Sequence, residues 1–290
     1  MSRAPVAAAL LLAGVAVSWG AIPLIVRGDV PWPQLVAARV WLGAAVVLAI
    51  LAAGGRLRLP HVYRGRVAVA GVLLAIHWSA FFLSLREATV AVSLAVLYLG
   101  PVLASALAPR VLGERPALRT YVGLAVALAG VMAVVRPGGE ASPLGLAAAV
   151  VSGLSLAAIM LVAKPAAAHL GGLTVATGQL GVAALVLTPV ALQAATTLGD
   201  SWVELVILGV LLTGVAGWVY WTAMERLAVA TVSVIMYLEP ASAVVWAALF
   251  LDETPDLLAW LGVGMVLGGG VLAGSAAAGA GEEIGVPAAL

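Results

Sequence analysis

Few side chains in this sequence can carry charge or hand on a proton, and they stand in apolar company. Glu239 interrupts a run that is otherwise apolar from Leu227 to Leu251 and directly precedes Pro240. A proline lacks an N–H and disrupts the turn before it, so carbonyls near Ile235–Met236 are expected to lose their helical partners. Glu239 could take up a proton, clamp an ammonium group, or only hydrogen-bond the broken backbone. His77, beside Trp78 in the middle of another apolar run, titrates near neutrality when unperturbed. It could relay protons, bind a ligand, or rest against a neighbouring hydroxyl. Arg39 lies eight residues past Pro31, about 12 Å along a helix at 1.5 Å per residue. It could grip a carboxylate with two parallel hydrogen bonds, pair with Glu239, or snorkel outward along its stem. Trp218 and Trp221, three apart, share a helical face, and Trp19, Tyr98, Tyr220 and Tyr237 are the other aromatic candidates. Such rings suit apolar ligands and attract ammonium groups through their faces, and they equally well fill helix contacts. Gln179 is the only amide in the inner part of its apolar run.

The elements that position these groups follow from composition. Of 290 residues, 64% are hydrophobic and 9% charged, and the mean hydropathy is +1.17. So few charges cannot cover a water-facing surface, and lipid is the solvent that makes such a chain stable. The net charge of +1 provides no basic patch for nucleic acid. The absence of Cys excludes disulfides, thiolate metal sites and a Cys nucleophile. No cofactor is expected. A helix across a bilayer needs about 20 largely apolar residues. The runs of that kind are ten: 5–26, 33–54, 67–85, 88–109, 117–135, 143–163, 172–195, 203–224, 227–251 and 256–275. The first reads as a membrane anchor, being longer than a signal-peptide core of about 7–15 residues. The expected fold class is all-α and integral to the membrane.

An internal duplication organises the runs. Shifting Glu87–Pro116 by 139 positions lays it on Arg226–Pro255 without a gap, with ten of thirty positions identical. Among the identities are Tyr98/Tyr237, Pro101/Pro240 and Glu114/Glu253, and the match continues through Gly123/Gly262 and Gly130/Gly269. Five spans per copy is odd, so the copies must cross the membrane with opposite polarity, as in many secondary transporters. The expected division is a first half over 1–138, an inverted second half over 139–275 and a mobile tail over 276–290. Pro101 and Pro240, at matching places in the two halves, are the expected hinges beside a central site. Glu114 and Glu253, before Pro116 and Pro255, read as turn and helix-start residues. Counting Lys164 among the inner segments, ten basic residues face the inside and three (Arg27, Arg86, Arg136) the outside. That bias places both termini in the cytoplasm and leaves Trp32, Trp202 and Trp260 near outer helix ends.

The motifs YLGP…GERP and YLEP…DETP, with Trp19–Gly20 and Arg39, resemble the EamA-type members of the drug/metabolite transporter superfamily over residues 5–275. The resemblance implies an inner-membrane exporter of amino acids and related metabolites. It also implies that spans one, three, four, six, eight and nine surround a cavity in which His77 is well placed. Glu-Pro recurs in that family across differing substrates, which implies a structural or coupling role for Glu239. The candidate substrate-binding set is therefore Trp19, His77, Trp78, Tyr98, Trp218, Trp221 and Tyr237, with Glu239 and Arg39 as coupling or structural groups. The partners are a small solute, the bilayer and, if transport is coupled, protons. No Walker motif is present to couple ATP directly. Two other readings stand beside this one. A sugar-phosphate or nucleotide-sugar antiporter would want several cavity cations. A membrane enzyme on lipid-linked substrates would want clustered acids or a His/Asp group.

Overall fold

The computed structural model describes residues 3–22, 31–54, 61–136, 141–194, 202–250 and 255–279. Twelve helices account for nearly all of them. In chain order they are α1 (Arg3–Trp19), α2 (Trp32–Ala53), α3 (Arg64–Glu87), α4 (Val90–Leu97), α5 (Leu99–Val111), α6 (Leu118–Val135), α7 (Pro143–Leu170), α8 (Gly172–Ala194), α9 (Trp202–Met224), α10 (Val229–Met236), α11 (Leu238–Phe250) and α12 (Leu257–Gly279). Among the described residues, eight continuous spans are long and apolar enough to cross a bilayer, α4–α5 and α10–α11 each counting as one; Pro5–Trp19 and Leu257–Ala273 are shorter apolar helices. Large apolar side chains such as Leu10, Leu185 and Val271 lie bare on the outside of the bundle, where lipid meets them.

Two spans are broken where the prolines demand it. The ring of Pro101 displaces the carbonyl four residues back, that of Leu97, and Pro240 does the same at Met236. Helix α4 ends at Leu97 and α10 at Met236, with Tyr98 and Tyr237 at the turns. The broken backbone is not left bare. The Tyr237 hydroxyl donates to the Tyr98 carbonyl at 2.9 Å, and the two rings meet edge to face, 5.6 Å apart. Ser105 and Ser233 both donate to the Pro101 carbonyl, at 2.7 and 3.1 Å. The two interruptions therefore hold each other, one from each half of the sequence.

Glycines set the helix spacing at α6 and α12. A Cβ on Gly123 would stand 2.6 Å from the Gly269 carbonyl oxygen, and one on Gly130 would stand 2.6 Å from that of Gly262. The backbones touch there, and the crossed order of the pairs means that α6 and α12 run antiparallel. Asp256 begins α12. Its carboxylate accepts from the Arg136 guanidinium and from the Ala259 N–H, and these bonds, Arg136 first, hold it below the usual carboxylate range. The stabilisation is present above the unfolded pKa and fades as pH falls through the folded one.

Several sequence expectations need correction. Helix α7 runs on to Leu170, beyond the expected end of that span at 163, and takes in Lys164 and Pro165. The Lys164 ammonium lies 2.8 Å from a Glu114 carboxylate oxygen, with the side chains 7% and 5% exposed. Lys164 also donates to the Leu227 carbonyl, and the other Glu114 oxygen accepts from Val229 N–H at 2.8 Å. Glu114 is thus half of a buried ion pair that caps the start of α10, rather than a simple turn residue. Glu253 lies outside the described residues. Helix α12 extends to Gly279 and takes in the first residues of the expected tail; 280–290 lie outside the described residues.

Candidate functional site

A cavity of about 370 Å³ lies between the broken helices and α1, α2, α3, α7, α8 and α9. The close fit of α2 to α9 brings its basic group to it. Gly43 on α2 meets Gly209 and Gly214 on α9, and the middle of α9, Ile207–Val215, is wound as π-helix. Arg39 lies at this contact. Its Nε donates to the Thr213 hydroxyl at 3.0 Å, and its guanidinium carbon sits 4.6 Å above the centre of the Trp78 ring. Stacking over an indole face suits a weakly hydrated, delocalised cation. Thr213, the lone hydroxyl between Trp202 and Val219, was not among the sequence candidates, and its solitude in an apolar run is the signal that could have found it.

Glu239 opens α11 and also lines the cavity. It lies within electrostatic reach of Arg39, and no ion pair joins the two among the described residues. The Tyr98 hydroxyl is turned to the Glu239 carboxyl, and Tyr98 is only 3% exposed. His77 is committed on one side: its Nδ1 lies 3.0 Å from both the Ser152 hydroxyl and the Ser152 carbonyl. Ser152 offers that nitrogen a donor and an acceptor, so either neutral tautomer is satisfied.

Of the sequence-derived set, Trp19, Arg39, His77, Trp78, Tyr98, Pro101, Trp221, Glu239 and Pro240 line the cavity. Two expected wall residues do not. Tyr237 is fully buried against Tyr98 with its hydroxyl spent on the backbone. Trp218 packs on the apolar core, because the face of α9 turned to the cavity carries Gly217, Tyr220 and Trp221, and Trp218 is rotated off it. Phe81 and Phe82 join the wall instead.

Gln179 holds one of the rings. Its Oε1 accepts from Trp221 Nε1 at 2.7 Å, and its Nε2 donates to the Ala70 carbonyl at 3.3 Å. Gln179→Leu keeps the bulk and removes both bonds. It is expected to cost about 1–3 kcal/mol for the stranded indole N–H and to free the ring in the wall. A drop in thermal midpoint together with a shift in tryptophan emission checks this.

A helical bundle that crosses the membrane many times around a solute-sized, apolar cavity with a charged pole has the build of a membrane transporter. The chain belongs to the EamA-like transporter family, whose model matches it twice, over residues 6–136 and 143–275. It is 29% identical over 243 residues to the threonine/homoserine exporter RhtA of Escherichia coli (strain K12), covering 81% of this chain and 79% of that protein. It is 30% identical over 247 residues to a probable terminal-alkyne amino-acid exporter of Streptantibioticus cattleyicolor, covering 79% and 80%. An uncharacterized transporter, YxxF, of Bacillus subtilis (strain 168) is 26% identical over 206 residues, 69% of this chain and 66% of that one. A crystal structure shares the fold with a TM-score of 0.80 at 22% identity, over 92% of this chain and 98% of that chain. The family and these named relatives are transporters, not enzymes, and the chain is a multi-pass membrane protein.

Proposed function

We propose that this chain is a secondary transporter that exports small amphipathic metabolites, amino acids or amines, across the inner membrane by alternating access. The observation that carries the proposal is the cavity itself. It sits between two proline-broken helices from the two halves of the sequence, with opposite charges on one apolar wall. The names of the relatives from Escherichia coli and Streptantibioticus cattleyicolor, both exporters of amino acids, support the solute class. Among the described residues Arg39 is the only Arg or Lys lining the cavity, which is poor provision for a sugar phosphate. Flux of an unmodified solute by the purified protein in liposomes is the expected result. A panel of labelled amino acids and amines that all stay put, with and without a pH gradient, would overturn it.

In this reading ten helices form two inverted halves, 1–138 and 139–275, with the termini and the tail in the cytoplasm. The antiparallel contact of α6 with α12, repeat partners that meet through repeat-related glycines, supports the inversion. Single cysteines at Arg66 and Ala141, both exposed, are expected to label from opposite sides of the membrane. Labelling of both by an impermeant thiol reagent from outside would refute ten spans.

Alternating access also needs a seal that can part. The Glu114–Lys164 pair supplies one in this reading: it lies one helical turn past Met160, a cavity-lining residue, and ties the end of α5 to α7 and to the start of α10. The halves would part there for solute to enter from the cytoplasm. The driving force is either the proton gradient or the metabolite's own gradient.

A further inference from the structure

The two proline-broken spans are repeat partners, yet they are closed over at one end only. Ala104, Ser105 and Ala108 of α5 are buried, whereas Ala243, Val244 and Ala247, their partners 139 positions on in α11, are half-buried. Ser233 of α10 is buried, and its partner in α4, Leu94, is half-buried. Leu94 and Ala243 line the cavity, while their partners Ser233 and Ala104 do not. The spans are therefore packed shut where α5 meets α10, at the end of Glu114, and open where α4 and α11 face the cavity. In the transporter reading the shut end is the cytoplasmic one.

What holds the shut end is polar, and the repeat does not copy it. The Ser105 and Ser233 hydroxyls lie 3.0 Å apart. Ser105 also reaches the Pro101 carbonyl at 2.7 Å, and Ser233 reaches the carbonyls of Pro101 at 3.1 Å and Val229 at 2.9 Å. Each hydroxyl has one proton to give, and all but one of these pairings join α5 to α10. Parting the helices strands neither group: Ser105 falls back on the Pro101 carbonyl and Ser233 on that of Val229, each in its own helix. The start of α10 is one-sided in the same way. It has Ala228 at its N-cap and takes the Glu114 carboxylate for the Val229 N–H, whereas α4 carries its own cap, the Thr89 hydroxyl on the Val92 N–H. The tyrosines, prolines and Glu114 are repeated, as Tyr237, Pro240 and Glu253. The two serines are not, since Val244 and Leu94 stand in their places. Ser93 and Ser242 lie one and two residues off those places, about 100° and 200° round their helices, and Ser242 is bonded to the Val17 and Glu239 carbonyls.

We propose that Ser105 and Ser233 form a clasp that biases the protein toward the conformation closed at its inner end and open at its outer end. In an inverted repeat the opposite state is reached by rocking one half against the other. That motion parts Ser105 from Ser233 at the inner end and brings Leu94 toward Val244 at the outer end, and two apolar side chains make no hydrogen bond in exchange. The inward-open state is then the minor one, and export waits on its formation. The inference rests on the transporter reading above and goes beyond it.

Labelling at a pair of repeat-related positions tests it. Ala108 and Ala247 are each replaced by cysteine, singly, in this Cys-free chain. The proteins are exposed in proteoliposomes to an impermeant thiol reagent from each side in turn. With the serines intact, Ala247→Cys is expected to label from the outer side and Ala108→Cys only slowly from either. Adding Ser105→Ala and Ser233→Ala is expected to speed labelling of Ala108→Cys from the inner side about three- to twentyfold, the population shift that a hydrogen bond between helices in a bilayer represents. Labelling of Ala247→Cys should not rise. Ser93→Ala, which removes a buried hydroxyl outside the clasp, should change neither rate. An unchanged rate for Ala108→Cys in the folded double-alanine protein would overturn the proposal. So would a rise at both cysteines, or the same rise with Ser93→Ala, since either reports general loosening. If the double-alanine protein does not fold, Ser233→Ala alone decides, with Ser105 left on the Pro101 carbonyl. The labelling needs no solute and is independent of the flux panel. Unchanged rates in a protein that moves solute would overturn the clasp alone; a shifted rate in a protein that moves none would leave the clasp and remove the transporter reading.

Discussion

Glu114→Gln is expected to destabilise the folded protein by about 3–5 kcal/mol, the usual cost of removing one partner of a buried ion pair. The Lys164 ammonium would lose the carboxylate 2.8 Å away in a place where its side chain is 7% exposed. Glutamine preserves the shape and an acceptor for the Val229 N–H, so the loss reports the charge and not the cap. Lys164→Met should cost a similar amount from the other side, leaving the Glu114 carboxylate with Val229 alone. The double variant Glu114→Gln/Lys164→Met removes both charges and is expected to recover most of either loss, because taking two charges out of water is itself expensive. Thermal midpoints in one detergent give the cycle, and its coupling term is the measure of the pair. Losses that simply add would show that the two groups do not interact. If the pair also seals the inner end, a cysteine replacing Met160, which lines the cavity and is buried, should label faster from that side in the double variant.

How much of this was legible in the sequence depends on what leaves a local mark. Apolar runs long enough for lipid leave one, and the helices follow them closely. The breaks ahead of Pro101 and Pro240 leave one too, since a proline acts on the carbonyl four residues back wherever it stands. Pro165 is a counterexample, as are Pro109 and Pro189: their helices continue through them, because a helix whose neighbours support it can tolerate the missing bond. That tolerance is why the expected span ends at 163 and misses the pairing of Lys164 with Glu114. The orientation of side chains around each helix left no mark at all. A helix in lipid is apolar on every side, so periodicity does not say which face meets the cavity. Trp218 and Trp221 look equivalent by spacing, yet Trp221 lines the wall and Trp218 the core. Tyr98 and Tyr237 look equivalent by the repeat, yet the Tyr98 hydroxyl is turned to Glu239 and the Tyr237 hydroxyl bonds the backbone. The register between halves decides these, and it is a property of the packed bundle.

Glu239→Gln is expected to abolish the response of transport to an imposed pH gradient while solute still equilibrates down its own gradient. Glu239 faces the cavity beside Tyr98 and within reach of Arg39, so a proton and a cationic ligand would contend for the same carboxylate. A group that takes either but not both links the two flows, and an amide takes no proton. Glutamine retains the shape and one acceptor for a ligand N–H, so binding should weaken yet persist. The measurement is efflux of labelled solute from proteoliposomes with and without an inward proton gradient, set against wild type at matched reconstitution. Wild type should accelerate and the variant should run at one rate in both. If the Gln variant is driven at the wild-type rate, Glu239 serves the broken backbone or ligand binding, and coupling passes to His77. That residue keeps the means: Ser152 satisfies its Nδ1 in either neutral tautomer, so its other nitrogen can exchange a proton without stranding the first. His77→Gln would then be the variant that loses the gradient response, and a response surviving both substitutions would leave transport driven by the solute's gradient alone.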